Sequence, residues 1–380
     1  MFRKITIATI AAALATAAAM TIWPSPSTAQ VKEFRYSSWT PPPAPNNRFG
    51  TVPMFETIEK ELKGTPDEMA IRNFMGAQLF NNRTTLAGIR DGAVDAGVTV
   101  PVFNPGELKA HVTLGELQAA TRDGYSAAAA STETLLLNCP ECLEDYGKNN
   151  SLLLGVYASA PYYLQCNFEI KTMDDLKGRK SAEGNPMFAR FGAKLGMSGL
   201  QMGPADYLQA LQRNTAECIF GPLDWLNAFS LKDVVKTVVM DIHQGVVPAV
   251  SMMTVNKSSW AKLSNGQRNA FLKHMPDAIM RVVHGYYVDE KRGVDEATAK
   301  GTKFIKLGPA YVKAWEEFKA GDTAVVLEGA KKRGVKTADE IVKANLDNLK
   351  KWEKIIDETG QDPQKVAAEM RKRIFEKVKF

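Results

Sequence analysis

The feature that most constrains this chain is a short unit that occurs twice. In PADYLQALQRNTAECIFGPLDW, from Pro204 to Trp225, the apolar residues Tyr207, Leu208 and Leu211 recur at helical spacing. Asn214 stands where a helix ends in a left-handed residue. A strand is then expected over 216–220, and Gly221-Pro222 breaks it into a loop. An earlier stretch has the same syntax: Leu86, Ile89, Arg90, Asp91, Gly92, Ala93, Val94 and Asp95 align with Leu208, Leu211, Gln212, Arg213, Asn214, Thr215, Ala216 and Glu217. One helix–turn–strand unit, repeated about a domain's length apart, predicts two lobes built alike with a cleft between them.

The rest of the chain fits that plan. A strand is expected over 32–39, followed by the extended Thr40-Pro41-Pro42-Pro43-Ala44-Pro45 loop. Phe55, Ile58 and Leu62 suit a helix, 69–74 a strand, 78–90 a helix and 94–98 a strand, the alternation of a parallel sheet. Ligands of such sheets bind beyond the carboxyl ends of the strands, here Trp39-Thr40, Met75-Gly76-Ala77-Gln78 and Thr99 to Phe103. Strands over 152–157 and 162–168 lead into the second lobe, a short helix at 174–178 ends on glycine, and a strand over 246–255 returns. From Trp260 on, the pattern is nearly all helical, with helices at 310–318, 339–358 and 366–377. The predicted class is α/β: two lobes, each a mixed, mostly parallel sheet flanked by helices, with long C-terminal helices. Residues 30–158 and 248–290 form lobe I; 159–247 and 291–380 form lobe II with the C-terminal helices; hinges fall near 158 and 248.

Residues 1–29 read as a secretory signal. Arg3 and Lys4 precede an apolar run over 5–23, and Ser27-Thr28-Ala29 places small residues before a cut at Gln30. The competing reading, a membrane anchor, needs about 20 apolar residues, which the run nearly reaches. Removing its two cations and no acids takes the net charge from +6 to +4. The basic cluster Arg371-Lys372-Arg373 and Lys377-Lys379 reads as a solvated helix face, so no nucleic-acid partner is expected. Four cysteines in an oxidising compartment allow three pairings; Cys139–Cys142 with Cys166–Cys218 is favoured, because the last two both fall in strand-like runs. Cys139-Pro-Glu-Cys142 has thiol-oxidoreductase spacing, but it follows an expected Leu135-Leu136-Leu137 strand and opens no evident helix, which favours a structural disulfide. No histidine or second thiol pair completes a zinc site.

Several blocks carry a resemblance. Gly76-Ala77-Gln78-Leu79 followed by Ile89 to Asp95, then Met173-Asp174-Asp175-Leu176-Lys177-Gly178, Tyr207 to Asn214, and Trp260-Ala261-Lys262-Leu263 together resemble the DctP-type solute-binding proteins of tripartite ATP-independent periplasmic (TRAP) transporters. The resemblance implies a two-lobed periplasmic receptor that closes on one small organic acid and delivers it to a membrane permease pair, with no cofactor. It also implies an arginine a few residues after the Leu-Lys-Gly turn that grips a carboxylate bidentately. Here Ala182 holds that position, a second family arginine falls on Tyr162, and the usual polar residue before the second-lobe proline falls on Gly221; Asn185 does match a family binding position.

Losing these cations makes C4-dicarboxylate recognition costly. The residues expected around the cleft are largely aromatic: Trp39, Phe103, Tyr162, Tyr163, Phe188, Phe220 and Trp225, joined by Gln78, Thr99, Asn185 and Gly221. The expected ligand is bulkier or more aromatic, an acid held by a different cation, with Arg48 and Arg190 as candidates. Each aromatic competes with a plain core role, and each arginine with a structural one. A catalytic constellation is missing. His111, His243, His274 and His284 are scattered and no Gly-x-Ser-x-Gly elbow occurs. A binding module feeding a sensor instead of a permease would need the same closing receptor.

Overall fold

The computed structural model describes residues 32–378, so the expected signal segment lies outside the described residues. Its strands are β1 (Lys32–Ser37), β2 (Met69–Phe74), β3 (Ala96–Gly97), β4 (Ser151–Tyr157), β5 (Tyr163–Cys166), β6 (Lys180–Glu183), β7 (Ser198–Gln201), β8 (Cys218–Gly221), β9 (Thr237–Val239), β10 (Val250–Asn256) and β11 (Lys303–Ile305). They form two sheets, ordered β2-β1-β3-β10-β4 and β11-β9-β5-β8-β6-β7. In each, three parallel strands (β2, β1, β3 or β7, β6, β8) sit beside an antiparallel one, β10 or β5. That strand pairs in turn with a strand running the other way, β4 or β9. The second sheet thus repeats the five-strand arrangement of the first and adds β11, parallel to β9, at its edge.

The repeated unit extends to its hydrogen bonds. The helices Thr85–Arg90 and Tyr207–Gln212 are followed by Gly92 and Asn214, both at positive φ (75° and 54°). Ala93 N–H donates to Gly88 O and Thr215 N–H to Ala210 O, closing the two turns alike. Asp95 N–H then donates to Arg35 O while Arg35 N–H donates to the Asp95 carboxylate. Glu217 and Lys180 exchange the same pair of bonds in the second sheet. The aligned positions therefore do the same work twice.

The chain passes between the sheets after β4 and returns before β10. These two crossings are tied together. Ser159 N–H donates to Val247 O, Tyr162 N–H to Gly245 O, and Gln244 N–H to Tyr162 O. Gly245 has a φ of +74°, and a Cβ there would lie 2.2 Å from Gln118 O, so only glycine fits. The 35-residue helix Asn265–Ala299, opened by a Ser264–Gln267 capping box, runs from one core to the other. Its Phe271 and Tyr286 belong to the first core and its Ala297 to the second.

Several expectations are corrected. The helix expected over 78–90 is limited to Thr85–Arg90, because the Asn81 carboxamide accepts from Arg83 and Thr84 N–H and holds a turn. The Leu135-Leu136-Leu137 strand is instead helical, Thr134–Asn138, continuing Gly124–Glu133. That helix is buried on every side, so no period marks it. Cys139 consequently caps the helix Pro140–Lys148, with Cys142 N–H at 3.1 Å from its sulfur. The motif does open a helix, but both sulfurs are bonded to each other and both residues are buried. The other pair joins β5 to β8 across Cys166 and Cys218. The division read from the sequence puts 291–380 with the second lobe. Helix Pro309–Lys332 does send Tyr311 and Trp315 into the second core. Helices Ala338–Thr359 and Pro363–Met370 instead pack Leu349, Trp352, Val366 and Met370 into the first. An amphipathic period reveals that a helix has a buried face, not which core receives it.

The Cys166–Cys218 bond closes a long stretch of chain, 52 residues apart, while Cys139–Cys142 closes only three. Replacing the first pair by serine is expected to cost about 2–4 kcal/mol in urea unfolding, and replacing the second markedly less. Equal losses from the two would contradict this.

Candidate functional site

A cavity opens where the carboxyl ends of the strands of both sheets face each other. After β1 come Trp39 and Thr40; after β3, Val100 to Phe103; after β6, Gly184 and Asn185; after β8, Trp225. Equivalent positions of the two repeats thus supply the opposing walls. Tyr157, Ser159, Tyr162 and Val247 from the crossings form the floor, and Tyr286 enters from the long helix. The cavity has a volume of about 60 Å³. That holds water but is narrow for a ring, so a ring-sized ligand requires the walls to part.

Six of the expected residues line this cavity: Trp39, Phe103, Tyr162, Asn185, Phe188 and Trp225. Three of those rings, Tyr162, Phe188 and Trp225, pack in a row on the second-core side, backed by Phe220. Tyr162 lies 5.0 Å from Phe188 at 13°, Phe188 4.9 Å from Phe220 at 6°, and Trp225 meets Tyr162 edge-on at 5.4 Å. Each such pair contributes about 0.5–1.5 kcal/mol beyond its area, which fixes the ring planes before any ligand arrives. Asn185 caps helix Pro186–Lys194 with its oxygen and donates to Gly115 O at 2.8 Å, so its carboxamide joins the two walls.

The others are placed elsewhere. Arg190 bonds Asp322 at 2.7 Å and Arg48 bonds Asp289 at 3.0 Å; both are structural pairs away from the cavity wall. Neither is the substitute cation. Gln78 is exposed on a turn, because the helix begins later than its sequence implies. Thr99 is buried, its hydroxyl 2.8 Å from that of Thr254. Tyr163 sits on β5, where strand alternation turns it from the cavity, and burial beside Glu290 pushes its hydroxyl up to about 12. Phe220 backs Phe188 in the core. Gly221 supports the wall from behind: its carbonyl accepts from Gln165 Nε2 at 2.8 Å, and a Cβ would stand 2.7 Å from the Trp225 ring. Ala182 lies in the second core, not in the cavity wall.

Sequence reasoning placed Thr40 at a ligand-facing strand end but missed Tyr157, Ser159, Tyr207 and Tyr286. Tyr207 was read as the apolar face of a helix, which it also is. Tyr286 is one turn in a long helix and carries no local signal. Among the described residues, no lysine, arginine or histidine lines the cavity. Its unspent polar groups are the Trp39 Nε1–H and the Tyr207 hydroxyl, buried donors with no acceptor. Burial drives the Tyr162 and Tyr286 hydroxyls well above the ordinary tyrosine range, so they remain proton donors. Among the described residues, no group of three or more His, Cys, Asp or Glu could hold a metal ion, and no helix is long and apolar enough to cross a membrane.

Two expectations follow. Arg190→Met strands the buried Asp322 carboxylate and should cost about 3 kcal/mol in urea unfolding, while ligand affinity stays unchanged; a large affinity loss in folded protein would restore Arg190 to the site. Burial also raises Glu290 from 4.5 to about 7. The folded chain then keeps a proton that the unfolded chain has released, so stability falls as pH rises from about 4.5 to about 7. Glu290→Gln should flatten part of that slope in melting curves; an unaltered slope would refute the assignment.

The comparisons with known proteins agree with this geometry. The family model for bacterial extracellular solute-binding proteins, family 7 (DctP), matches residues 47–324. No curated protein matches the chain in sequence. Among solved structures, the fold is similar to a TRAP solute-binding protein from Rhodoferax ferrireducens in complex with copurified benzoate. Their TM-score is 0.74 at 15% identity over 85% of this chain and 99% of that one. A marine-metagenome TRAP solute-binding protein specific for aromatic acids, in complex with 3-hydroxybenzoate, gives 0.73 at 20% over 85% and 99%. A TRAP periplasmic solute-binding protein from Bordetella bronchiseptica with bound mandelate gives 0.69 at 19% over 84% and 99%.

Proposed function

The chain belongs to the bacterial extracellular solute-binding proteins of family 7, and from that membership we propose that it captures a ring-bearing organic acid in the cavity between its sheets and delivers it to a TRAP permease. The observation that carries the choice of ligand is the cavity wall. Rings dominate it, no cationic side chain among the described residues lines it, and two buried donors await a partner. A C4-dicarboxylate would bring two charges into a space with nothing to neutralise either, at a cost of several kcal/mol or more. A ring gains area and stacking there instead. The structural neighbours in complex with benzoate, 3-hydroxybenzoate and mandelate support the same ligand class.

The mechanism is reversible capture. The ligand enters while the walls are apart, and its greater affinity for the closed form holds them together. The crossings at 158–162 and 240–249 serve as hinges, and the helix joining both cores limits the bending. The permease reads the closed shape. The Arg3-Lys4 and apolar layout of 1–29 supports export to the periplasm.

A thermal-shift panel on residues 30–380 tests this. Benzoate, 3-hydroxybenzoate or a hydroxycinnamate at about 100 times its Kd should stabilise the fold by about 2.7 kcal/mol, and succinate should not. Stabilisation by succinate with no response to any ring-bearing acid would sink the reading.

A further inference from the structure

Arg48 and Arg190 are paired with buried acids, but Arg83 is not. It lies in the turn before helix Thr85–Arg90, where its backbone N–H donates to the Asn81 carboxamide. Among the described residues its guanidinium has no carboxylate partner. It rests instead over the Phe103 ring, 5.1 Å from the centroid. Arg83 is exposed and Phe103 lines the cavity, so this contact marks a solvent-facing rim. The tip of the same ring meets the second sheet. A Cβ on Gly184, just after β6, would stand 3.6 Å from Phe103 Cζ and 3.2 Å from the Tyr207 hydroxyl. Tyr207 also lines the cavity, is buried, and has no acceptor for its hydroxyl proton. Burial, with Glu183 nearby, holds that hydroxyl above the ordinary tyrosine range, so it remains a donor. The turn that carries Arg83 reaches the second sheet as well. Asn82 Nδ2 lies against Gly203, where a Cβ would come within 2.6 Å of it, and the next residue, Pro204, lines the cavity.

We propose that Arg83 is the cation of this receptor: the carboxylate of a ring-bearing acid accepts from the Arg83 guanidinium on one side and from the Tyr207 hydroxyl on the other, around Phe103. This rests on the organic-acid reading above. To take the ligand the guanidinium gives up only an exposed ring contact, which is weak. It gains a charge-assisted pair that its planar fork can make bidentate. Phe103 stands between the two donors, so the acid reaches both only when the walls have parted, as the narrow cavity already requires. Helix Thr85–Arg90 packs on β3 and β10 of the first sheet, whereas Tyr207 belongs to the second core. One carboxylate that bridges them therefore draws the two walls together. Arg83 stands at the rim and not in the wall, so the paired charge keeps part of its hydration, and a second charge deeper inside still meets no cation. The arginine missing at Ala182 is thus replaced from the opposite sheet.

Calorimetry with benzoate and its neutral analogue benzamide tests the proposal on the wild-type protein, Arg83→Gln, Arg83→Lys and Tyr207→Phe. Wild type should prefer benzoate, and added salt should weaken that binding. Arg83→Gln should lose about tenfold for benzoate, bind benzamide as before and show little salt dependence. Its ligand-free melting temperature should not move, because the side chain is exposed and pairs with no acid. Arg83→Lys keeps the charge without the fork and should recover part of the loss. Tyr207→Phe should lose about threefold or more for benzoate and keep the salt dependence. Equal benzoate binding by wild type and Arg83→Gln would overturn the inference and leave the ring-acid reading standing. So would an equal loss of benzoate and benzamide in Arg83→Gln, which would reveal a packing role against Phe103. Unchanged benzoate affinity in Tyr207→Phe would overturn the bridge between the walls. If wild type binds none of benzoate, 3-hydroxybenzoate and a hydroxycinnamate, the organic-acid reading fails and the inference with it.

Discussion

The structure depends on a backbone carboxylate clasp made twice. Asp95 and Glu217 each stand at the entrance to the third parallel strand of their sheet, and each accepts from the backbone N–H of the first strand. A reciprocal amide bond returns the contact, so the two strands are locked in register. A slip by one residue would turn every side chain to the other face. With register fixed, the loops beyond those strands emerge at matching heights. Trp39 and Val100 come from one sheet, Asn185 and Trp225 from the other, and all four reach one cavity. The cavity is therefore a consequence of the repeat: two copies of one clasp, facing each other.

Charge is kept out of that space by pairing it elsewhere. Arg190 with Asp322 and Arg333 with Glu116 join helix Pro309–Lys332 and its end to helices of opposite cores. Arg48 and Arg292 both face Asp289 on the long helix. Each of these arginines is paired with a buried acid. Among the described residues none that lines the cavity is Lys, Arg or His, although the Arg83 guanidinium lies 5.1 Å from the centroid of the cavity-lining Phe103 ring. Such a wall selects by shape and by the number of charges a ligand carries, since each additional uncompensated charge is expensive in a low dielectric.

Much of this was legible in the sequence where a local rule and a global one agreed. Gly92 and Asn214 announce left-handed turns, and the residues around them align because the same hydrogen bonds recur. The aromatic wall was legible too, through Trp39, Phe103, Tyr162, Phe188 and Trp225. Misplacements have specific physical causes. Gln78 falls outside because one Asn81 side chain turns seven residues of apparent helix into loop. Arg190 and Arg48 look like free cations until their acids, far away in sequence, are brought against them. Tyr157 and Tyr286 have no local signature: the first ends a buried strand, and the second is one position in a 35-residue helix. The last two helices show a clear apolar face, yet only tertiary packing decides that it meets the first core.

The narrowness of the cavity ties these features to closure. The cavity-lining ring pairs Tyr162 with Phe188 and Tyr162 with Trp225 both belong to the second core and stiffen that one wall. A small ligand would leave voids between parted walls and could not repay the separation. A ligand with two dispersed charges would hold the walls apart through its hydration. One flat ring bearing one polar group would lie between the parted walls and offer an acceptor to the unpaired Trp39 and Tyr207 donors. Its affinity for the closed form then exceeds that for the open one by contacts that exist only when both walls engage it, and that difference is what drives a two-lobed receptor shut.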